Sequence, residues 1–490
     1  MLTLIVCALS LLAIPSTRAQ QAGSKTPEVH PKVTVQQCSK GGSCKDLSLS
    51  ITLDANWRWL RKIPGDGMKN CYTGQTWDTE VCADGAKCAE SCALEGAEYV
   101  PNYGINTKGS SVSLKFVTKG KYATNVGSRV YLMADESKYQ MFKLKNQEFS
   151  FDVDVSKIGC GLNGALYFSE MAEDGGMAKN PGNKAGAKFG TGYCDAQCPH
   201  DIKFIGGKAN VDGWTPSKTD KNSGKGKLGA CCNEMDIWEA NSISQAFTPH
   251  PCSAPGLTVC EGAKCGDDPD NRYGGICDKD GCDFASYRLG AKDFYGPGKT
   301  VDSSKKMTVV TQFITTDKTA KGDLKEIRRL YVQNGKVISN SKTSIPKLEP
   351  AVDSITEGFC KAVKGIFGDK DDFNAKGGLK AMGESMDRGH VLVLSLWDDT
   401  SPAAMKWLSG NYPPGKGLET PGVARGTCSD ESGDPKTVEA KSADATVEFS
   451  NIKFGDIDST YAAAGGGEKV VEKQTAGEEK TVPPEGEQKA

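Results

Sequence analysis

Apolar and polar residues alternate along many stretches of this chain, a period of two that is typical of strands with one buried face. The alternation, or a short continuous apolar run, occurs at residues 112–116, 130–134, 149–155, 165–168, 307–314, 330–339, 391–397 and 447–454. Asn334 and Gly335 separate two such runs and predict a hairpin with a type I′ turn. Helical periodicity appears only in short stretches. The sequence therefore predicts an all-β protein, a β-sandwich or jelly roll.

The two ends of the chain differ from the part between them. Residues 4–14 are apolar, and small and polar residues follow as far as Ala19. This run is shorter than the ~20 residues that span a bilayer and is typical of a secretory signal peptide. Residues 462–490 are rich in Glu, Lys, Gly and Pro, which predicts disorder. We expect a signal peptide at 1–19, one β-sandwich domain at 20–461, a disordered tail, and a secreted, extracellular protein with no membrane span.

Charge and cysteine usage narrow the function classes. The chain has 60 Lys and Arg against 62 Asp and Glu, whereas a nucleic-acid-binding protein usually has a basic surplus. We therefore expect no nucleic-acid partner. Nineteen cysteines include Cys7 of the predicted leader, which leaves eighteen, an even number that predicts nine disulfides in an oxidising compartment. A zinc site is the alternative for one group of four, but a secreted chain oxidises its thiols; that group is Cys194, Cys198, Cys231 and Cys232.

Three carboxylates within six residues are the main candidates for chemistry. On a strand, Glu234 and Asp236 point to one face, whereas Glu239, five residues from Glu234, would point to the other. A single β-bulge between Asp236 and Glu239 would bring Glu239 back. Three carboxylates on one face would keep at least one proton near neutral pH, as a retaining glycosidase requires. The alternative is a solvated acidic face opposite an apolar one, and spacing alone does not decide between them.

The segment Glu234-Met-Asp-Ile-Trp-Glu239 resembles the catalytic strand of glycoside hydrolase family 7, which comprises cellobiohydrolases and endoglucanases. Further matching motifs occur in the family's order at residues 53–59, 160–168, 190–199, 248–252, 270–275, 395–399 and 421–426. The resemblance implies a curved, antiparallel, concanavalin-like jelly roll whose long disulfide-tied loops roof a substrate groove or tunnel. It implies no cofactor and no catalytic metal.

The resemblance also implies roles for individual residues. Glu234 is the expected nucleophile, Glu239 the acid/base, Asp236 the residue that orients Glu234, and His250 a neighbour of the acid/base. Four tryptophans are expected to stack on glucosyl rings, although a tryptophan can also belong to the core: Trp57, Trp59, Trp397 and Trp407. Other expected substrate contacts, for which surface ion pairing is the alternative reading of the arginines, are Arg129, Asn163, Tyr167, Tyr193, Asp195, Gln197, Lys203, Arg272, Asp280, Arg288 and Arg425.

The bridges that the resemblance implies use all eighteen cysteines. They are Cys38–Cys44, Cys71–Cys92, Cys82–Cys88, Cys160–Cys428, Cys194–Cys232, Cys198–Cys231, Cys252–Cys277, Cys260–Cys265 and Cys282–Cys360.

Loop lengths favour one activity within the family. The chain keeps the long segments 209–229, 265–272 and 412–428, which favours a tunnel and a retaining cellobiohydrolase that processively releases cellobiose from reducing ends. The 265–272 segment is one residue shorter than usual and lacks the family's tyrosine, so we expect a roof that opens more readily. The expected partners are cellulose and β-1,4-gluco-oligosaccharides, and the expected state is a monomer without a cellulose-binding module. The alternatives are an endo-β-1,4-glucanase and a non-catalytic carbohydrate-binding jelly roll.

Overall fold

The computed structural model describes residues 20–65, 67–268, 270–401 and 403–462. The expected signal peptide at 1–19 lies outside the described residues, as does the expected tail from residue 463 onward. No helix in the described ranges is long and apolar enough to cross a membrane.

Sixteen strands, numbered here in chain order, join through hydrogen bonds into one continuous sheet system. They are β1 (Lys32–Ser39), β2 (Ser43–Leu53), β3 (Ile105–Lys108), β4 (Ser111–Lys115), β5 (Ser128–Met133), β6 (Met141–Phe142), β7 (Gln147–Asp154), β8 (Leu162–Ser169), β9 (Glu234–Ala240), β10 (Gln245–His250), β11 (Met307–Thr315), β12 (Leu324–Gln333), β13 (Lys336–Ser339), β14 (Ser354–Ile355), β15 (His390–Asp398) and β16 (Thr446–Asp456).

The sheet system folds into a β-sandwich, which confirms the predicted fold class. Its strand order is β10-β9-β8-β15-β5-β2-β1-β16-β7-β11-β12-β13. All pairs along this path are antiparallel except β1 with β16, which is parallel. Phe151 of β7 lies 6.2 Å, ring to ring, from Trp238 of β9, and Phe149 lies 5.0 Å from Phe168 of β8. Strands distant in the order therefore pack face to face, with the main core between the two layers.

The layer that contains β8 and β15 buries one face in this core and presents the other face to the long loops. Along β8, Leu166 and Phe168 belong to the main core, whereas Ala165 and Tyr167 belong to a second cluster on the opposite face. The same alternation holds along β15, where Leu394 enters the main core and its neighbours face the loops. We call the loop-covered surface of this layer the groove face.

Shorter strands form small sheets within the long connections. They are Gln21–Ala22 with Cys92–Leu94 and Leu60–Lys62, Tyr72–Thr73 with Thr76–Trp77, Val117–Lys119 with Thr124–Val126, Phe204–Ile205 with Lys208–Ala209, Thr215–Pro216 with Gly224–Lys225, Leu228–Cys231 with Thr258–Glu261, and Tyr295–Gly296 with Val301–Asp302. Single turns of 3₁₀ helix lie at Ala55–Trp57, Ala187–Phe189, Gly262–Cys265 and Arg272–Gly274.

Helices are few, but two are longer than the sequence analysis expected. The helices are α1 (Gly85–Ser91), α2 (Tyr99–Tyr103), α3 (Glu357–Phe367), α4 (Asp372–Ala375), α5 (Gly378–Arg388), α6 (Lys406–Ser409) and α7 (Pro435–Lys441). The expectation of only short helical stretches is wrong for α3 and α5, which have eleven residues each. The apolar positions of α3 recur every three or four residues, Thr356 caps its start and Gly368 ends it in the left-handed conformation.

The local predictions on strands and cysteines are confirmed. Each alternating segment contains a strand, and Asn334 and Gly335 have φ values of 52° and 73°, which suit the type I′ turn between β12 and β13. All nine expected disulfides are present. The four cysteines of the zinc alternative are therefore bonded to one another as Cys194–Cys232 and Cys198–Cys231.

Candidate active site

The candidate site is built on an irregularity in β9. Asp236 pairs with Tyr167 of β8, and Trp238 pairs with Leu166, so Ile237 is an extra residue between two consecutive partners. The pairing with β10 shifts at the same place. Ile237 and Trp238 both enter the main core. The predicted bulge between Asp236 and Glu239 is thus confirmed, and the side chain of Glu239 returns to the groove face.

The register then arranges the three carboxylates in successive rows across the groove face. From β10 through β9 and β8 to β15, the rows are His250–Glu234–Ser169–Val391, Thr248–Asp236–Tyr167–Val393 and Ala246–Glu239–Ala165–Ser395. Arg129 of β5 extends the third row beyond Ser395. The alternative interpretation, an acidic face exposed to solvent, does not fit, because Glu234 and Asp236 are buried and Glu239 is partly buried.

Each carboxylate has its own hydrogen-bond partner. The backbone N–H of Ala196 donates to Glu234 at 3.0 Å, and the Asn163 side-chain amide donates to Glu239 at 3.1 Å. Asp236 lies 3.1 Å from Nε2 of His250. Among the contacts of the described residues, Asp236 therefore has His250 as its partner, and the role of Asp236 in orienting Glu234 stays a prediction.

Burial raises the pKa of all three carboxyl groups. For Glu234 the charges of Asp236 and Asp195 add to burial, and for Glu239 the charge of Asp236 does so. For Asp236 burial is again the main cause, opposed by its hydrogen bond to His250. Burial lowers the pKa of His250, but the hydrogen bond and charge of Asp236 outweigh it and raise that pKa to about 9. His250 is therefore an imidazolium at neutral pH. Burial and the repulsion between neighbouring carboxylates favour a proton on one of the carboxyl groups.

A series of polar side chains in contact with one another continues from the carboxylates along the groove face. The Tyr167 and Tyr193 hydroxyls lie 2.8 Å apart, and Tyr193 donates to Asp195 at 2.7 Å. The guanidinium carbon of Arg129 lies 3.3 Å from the centre of the Tyr193 ring. Burial raises the pKa of Asp195 to about 6, and burial lowers the pKa of Lys203 to about 8. Tyr167, Tyr193 and Asp195 therefore lie close to Glu234, whereas Lys203 donates to the Asn56 carbonyl at 2.6 Å.

The tryptophans differ in exposure. The four expected sugar platforms are each partly exposed: Trp57, Trp59, Trp397 and Trp407. Trp77 and Trp238 are buried. The Trp397 and Trp407 rings are 6.2 Å apart and nearly parallel, at 28°, beside the end of β15. Partly exposed indole faces of this kind suit the apolar faces of pyranose rings.

Several other expected substrate contacts have protein partners. Arg272 donates to Asp280 at 2.8 Å. Arg288 is buried and donates to Asp283 and Asp369. Both arginines therefore form ion pairs, the alternative that the sequence left open. Arg425 donates to the Trp407 carbonyl at 3.2 Å and Gln197 to the Lys279 carbonyl at 2.7 Å.

Groups of side chains near metal-binding distance are not thiolate sites. Cys71, Cys82 and Cys92 cluster, and so do Cys198, Cys231 and Cys277. Every one of these sulfurs is bonded in a disulfide. A third group, His200, Cys265 and Asp267, also contains a disulfide-bonded cysteine.

One residue next to the site escaped the sequence analysis. Arg329 of β12 is 1% exposed and donates a hydrogen bond to the Ile237 carbonyl in the bulge. A usable signal existed: Ile327, Arg329 and Tyr331 occupy successive inward positions of β12, so an arginine stands where the alternation calls for an apolar residue.

Comparisons with known proteins agree with this geometry. The family model for Glycosyl hydrolase family 7 matches residues 22–461. The chain is similar to a family 7 cellobiohydrolase from Daphnia pulex, with 52% identity, a TM-score of 0.88, and coverage of 90% of this chain and 100% of that one. With the same coverage, a cellobiohydrolase from Melanocarpus albomyces complexed with cellotetraose matches at 46% identity and a TM-score of 0.85. An endoglucanase I complexed with cellobiose matches at 38% identity and a TM-score of 0.75, and the match covers 90% of this chain and 100% of that one.

Proposed function

The chain belongs to glycosyl hydrolase family 7 and is a cellulase, and on this basis we propose that it hydrolyses β-1,4-glucan chains with retention of configuration, processively releasing cellobiose from reducing ends. Its substrates are cellulose and soluble β-1,4-gluco-oligosaccharides, and it acts outside the cell as a monomer. The observation that carries the proposal is the bulge at Ile237, which brings Glu239 to the same face as Glu234 and Asp236.

The reaction proceeds in two displacements. In the first, the Glu234 carboxylate attacks the anomeric carbon while the Glu239 carboxylic acid protonates the glycosidic oxygen. The glycosidic bond breaks, cellobiose leaves with the protonated oxygen, and the rest of the chain forms an ester with Glu234. In the second, the Glu239 carboxylate takes a proton from water, the water attacks the anomeric carbon and the ester bond breaks. Each displacement inverts the anomeric carbon, so the β configuration is retained.

The charges of the site suit this division of roles. His250 as an imidazolium balances an ionised Asp236, since the two are in contact at 3.1 Å. Glu234 and Glu239 then share one further negative charge, because burial opposes a second one. The N–H of Ala196 points to Glu234 and favours its ionised form. Glu239 keeps the proton, as a general acid must, and is the more exposed of the two.

A roofed groove favours the cellobiohydrolase over the endoglucanase alternative. The Thr219 hydroxyl donates to the Thr400 carbonyl at 2.7 Å, which joins the 209–229 loop to the segment that follows Trp397. Asp267, near the start of the 265–272 segment, has a carboxylate oxygen 2.9 Å from Nε2 of His200. The chain is also more similar to both cellobiohydrolases than to the endoglucanase. A polymer threaded through a closed groove remains bound after each cut, which is the physical basis of processive action.

The proposal is tested on crystalline cellulose. The ratio of soluble to insoluble reducing ends is measured together with the identity of the soluble sugars, and proton NMR follows the anomer formed first from a cello-oligosaccharide. We expect mostly soluble cellobiose and a β anomer as the initial product. Mostly insoluble new ends would establish an open-groove endoglucanase, an α anomer would exclude the retaining mechanism, and binding without hydrolysis would leave a carbohydrate-binding jelly roll.

A further inference from the structure

A buried arginine stands directly behind the candidate active site. Arg329 belongs to β12, in the layer that does not carry the carboxylates, and its side chain crosses the core to donate to the Ile237 carbonyl of β9. The guanidinium carbon lies 4.3 Å from the Phe247 ring centre, 5.9 Å from that of Trp238 and 5.8 Å from that of Tyr331. An arginine at the centre of an aromatic core is unusual, because burying its charge is costly.

The surroundings of Arg329 do little to offset that cost. Its Nε and Nη1 atoms have no hydrogen-bond partner among the described residues. Burial lowers its pKa, and the main opposing influence is the Tyr331 hydroxyl rather than a carboxylate. An apolar residue of similar volume would be expected to suit this position at least as well for stability alone. Burial of the guanidinium group therefore does not by itself account for an arginine here, and its hydrogen bond to the Ile237 carbonyl becomes the feature to explain.

That hydrogen bond falls on the extra residue of the bulge. Ile237 has no partner of its own in the register with β8 or with β10. Its carbonyl is buried, and a buried carbonyl without a donor is destabilising by roughly 1–3 kcal/mol. Without a donor at this point, β9 would be stabilised by returning to a regular register. A one-residue slip turns side chains to the other face of a sheet, so Glu239 would leave the groove face while Glu234 and Asp236, before the bulge, stayed.

We propose that Arg329 is a positioning residue, which holds the bulge at Ile237 by a hydrogen bond through the core and thereby keeps Glu239 in place as the acid/base. The inference rests on the proposed roles of Glu239 and Glu234. Arg329 itself touches no substrate. Its removal should weaken protonation of the leaving group and leave nucleophilic attack by Glu234 largely unchanged.

The test uses substrates that differ in their need for an acid. We measure kcat/KM for 2,4-dinitrophenyl β-cellobioside, whose leaving group departs without a proton, and for a cello-oligosaccharide, whose leaving group needs one. Arg329→Met keeps an unbranched apolar stem but has no donor. We expect it to lose roughly 10-fold to 100-fold in kcat/KM on the oligosaccharide, part of the 10²-fold to 10⁴-fold that an acid supplies, and to stay within about twofold of the parent on the dinitrophenyl substrate. Arg329→Lys, which keeps a donor, should recover part of the loss.

Two further variants make each outcome decisive. Ile327→Ala opens a cavity at the preceding inward position of β12 and should lower Tm without changing the ratio of the two kcat/KM values. Glu239→Gln should show the largest ratio. If Glu239→Gln shows no dependence on the leaving group, the proposed acid/base role fails. If Glu239→Gln does depend on the leaving group, but Arg329→Met loses kcat/KM equally on both substrates or on neither, the positioning role alone is overturned. If Arg329→Met does not fold, Arg329→Leu replaces it as the variant without a donor, and a ratio equal to the parent's overturns the proposal.

Discussion

Two clusters of buried carboxylates in this fold are stabilised in opposite ways. Near the start of the chain, the Glu28 side chain is fully buried and accepts hydrogen bonds from Arg58, from the Tyr99 hydroxyl at 2.5 Å and from the Ala97 N–H at 2.9 Å. Burial tends to raise its pKa, but the charge and hydrogen bonds of Arg58 outweigh burial, and the pKa of Glu28 lies below its usual value. We call these residues the Glu28 cluster.

The carboxylates of β9 have much poorer compensation. Among the described residues, Glu234 accepts a backbone hydrogen bond from Ala196, and Glu239 accepts a side-chain hydrogen bond from Asn163. No arginine or lysine is among the main influences on either group, and the pKa of each is raised well above its usual value. The difference shows what each cluster is suited to: a satisfied buried charge holds structure, whereas a poorly satisfied one can give or take a proton.

The largest expected effect is that of Glu234→Gln. The amide keeps the shape of the side chain but cannot form the ester intermediate, so we expect kcat on cello-oligosaccharides to fall on the order of 10⁴-fold. Because the substitution removes a poorly compensated buried carboxyl group, Tm at pH 7 should be unchanged or higher. Steady-state kinetics and thermal unfolding are measured on the same preparation. A fall in Tm comparable to that of a core cavity would place Glu234 with the structural carboxylates.

The same substitution in the Glu28 cluster should have the reverse effects. Glu28→Gln leaves Arg58 buried without its partner and should lower the free energy of unfolding by about 3–5 kcal/mol, while kcat per folded molecule stays at the parent value. The pKa of Glu28 is lowered in the folded state. Its stabilisation is therefore present above the ordinary pKa of about 4.5 and is lost as the pH falls below it. Urea unfolding at pH 7 and at pH 3 checks this, and an equal difference at both would contradict it.

A smaller effect is expected for replacement of His250, the positively charged side chain beside the catalytic carboxylates. His250 lowers the pKa of Glu239 and of Asp236 through its positive charge. His250→Gln removes that charge, so the pKa of Glu239 should rise further, and the alkaline limb of the kcat/KM profile should move to higher pH by about one unit. Such a shift in the acid/base is read from the pH–rate profile on cello-oligosaccharides. A limb that stays at the parent's pH would mean that His250 carries no positive charge in the active enzyme.

Sequence reasoning succeeded where one local rule decided the outcome. The hairpin at Asn334–Gly335 follows from turn chemistry, and the bulge between Asp236 and Glu239 follows from requiring three carboxylates on one face. The disulfides came from the resemblance rather than from spacing, because eighteen cysteines allow very many pairings.

The features that sequence reasoning missed depend on contacts between distant segments. Asp236 pairs with His250, fourteen residues later in the chain, and nothing in the motif indicates that His250 rather than Glu234 is its partner. Arg329 reaches Ile237 from the opposite layer of the sandwich, and only the stacking of the layers brings them together. The helices α3 and α5 were missed for a different reason, since their apolar spacing is visible in the sequence but strands dominate the chain around them.

The smallest expected effect is that of a carboxylate outside both clusters, and it isolates burial as the variable. Glu80 forms an ion pair with Lys69 at 3.0 Å, but its side chain is 84% exposed. Solvent and salt screen such a pair, and Lys69 keeps a second partner in Asp78 at 2.9 Å. Glu80→Gln should therefore change neither Tm at pH 7 nor kcat measurably. If it lowered Tm as much as Glu28→Gln does, loss of any carboxylate charge would be destabilising, and the contrast between the two buried clusters could not be attributed to how each one is compensated.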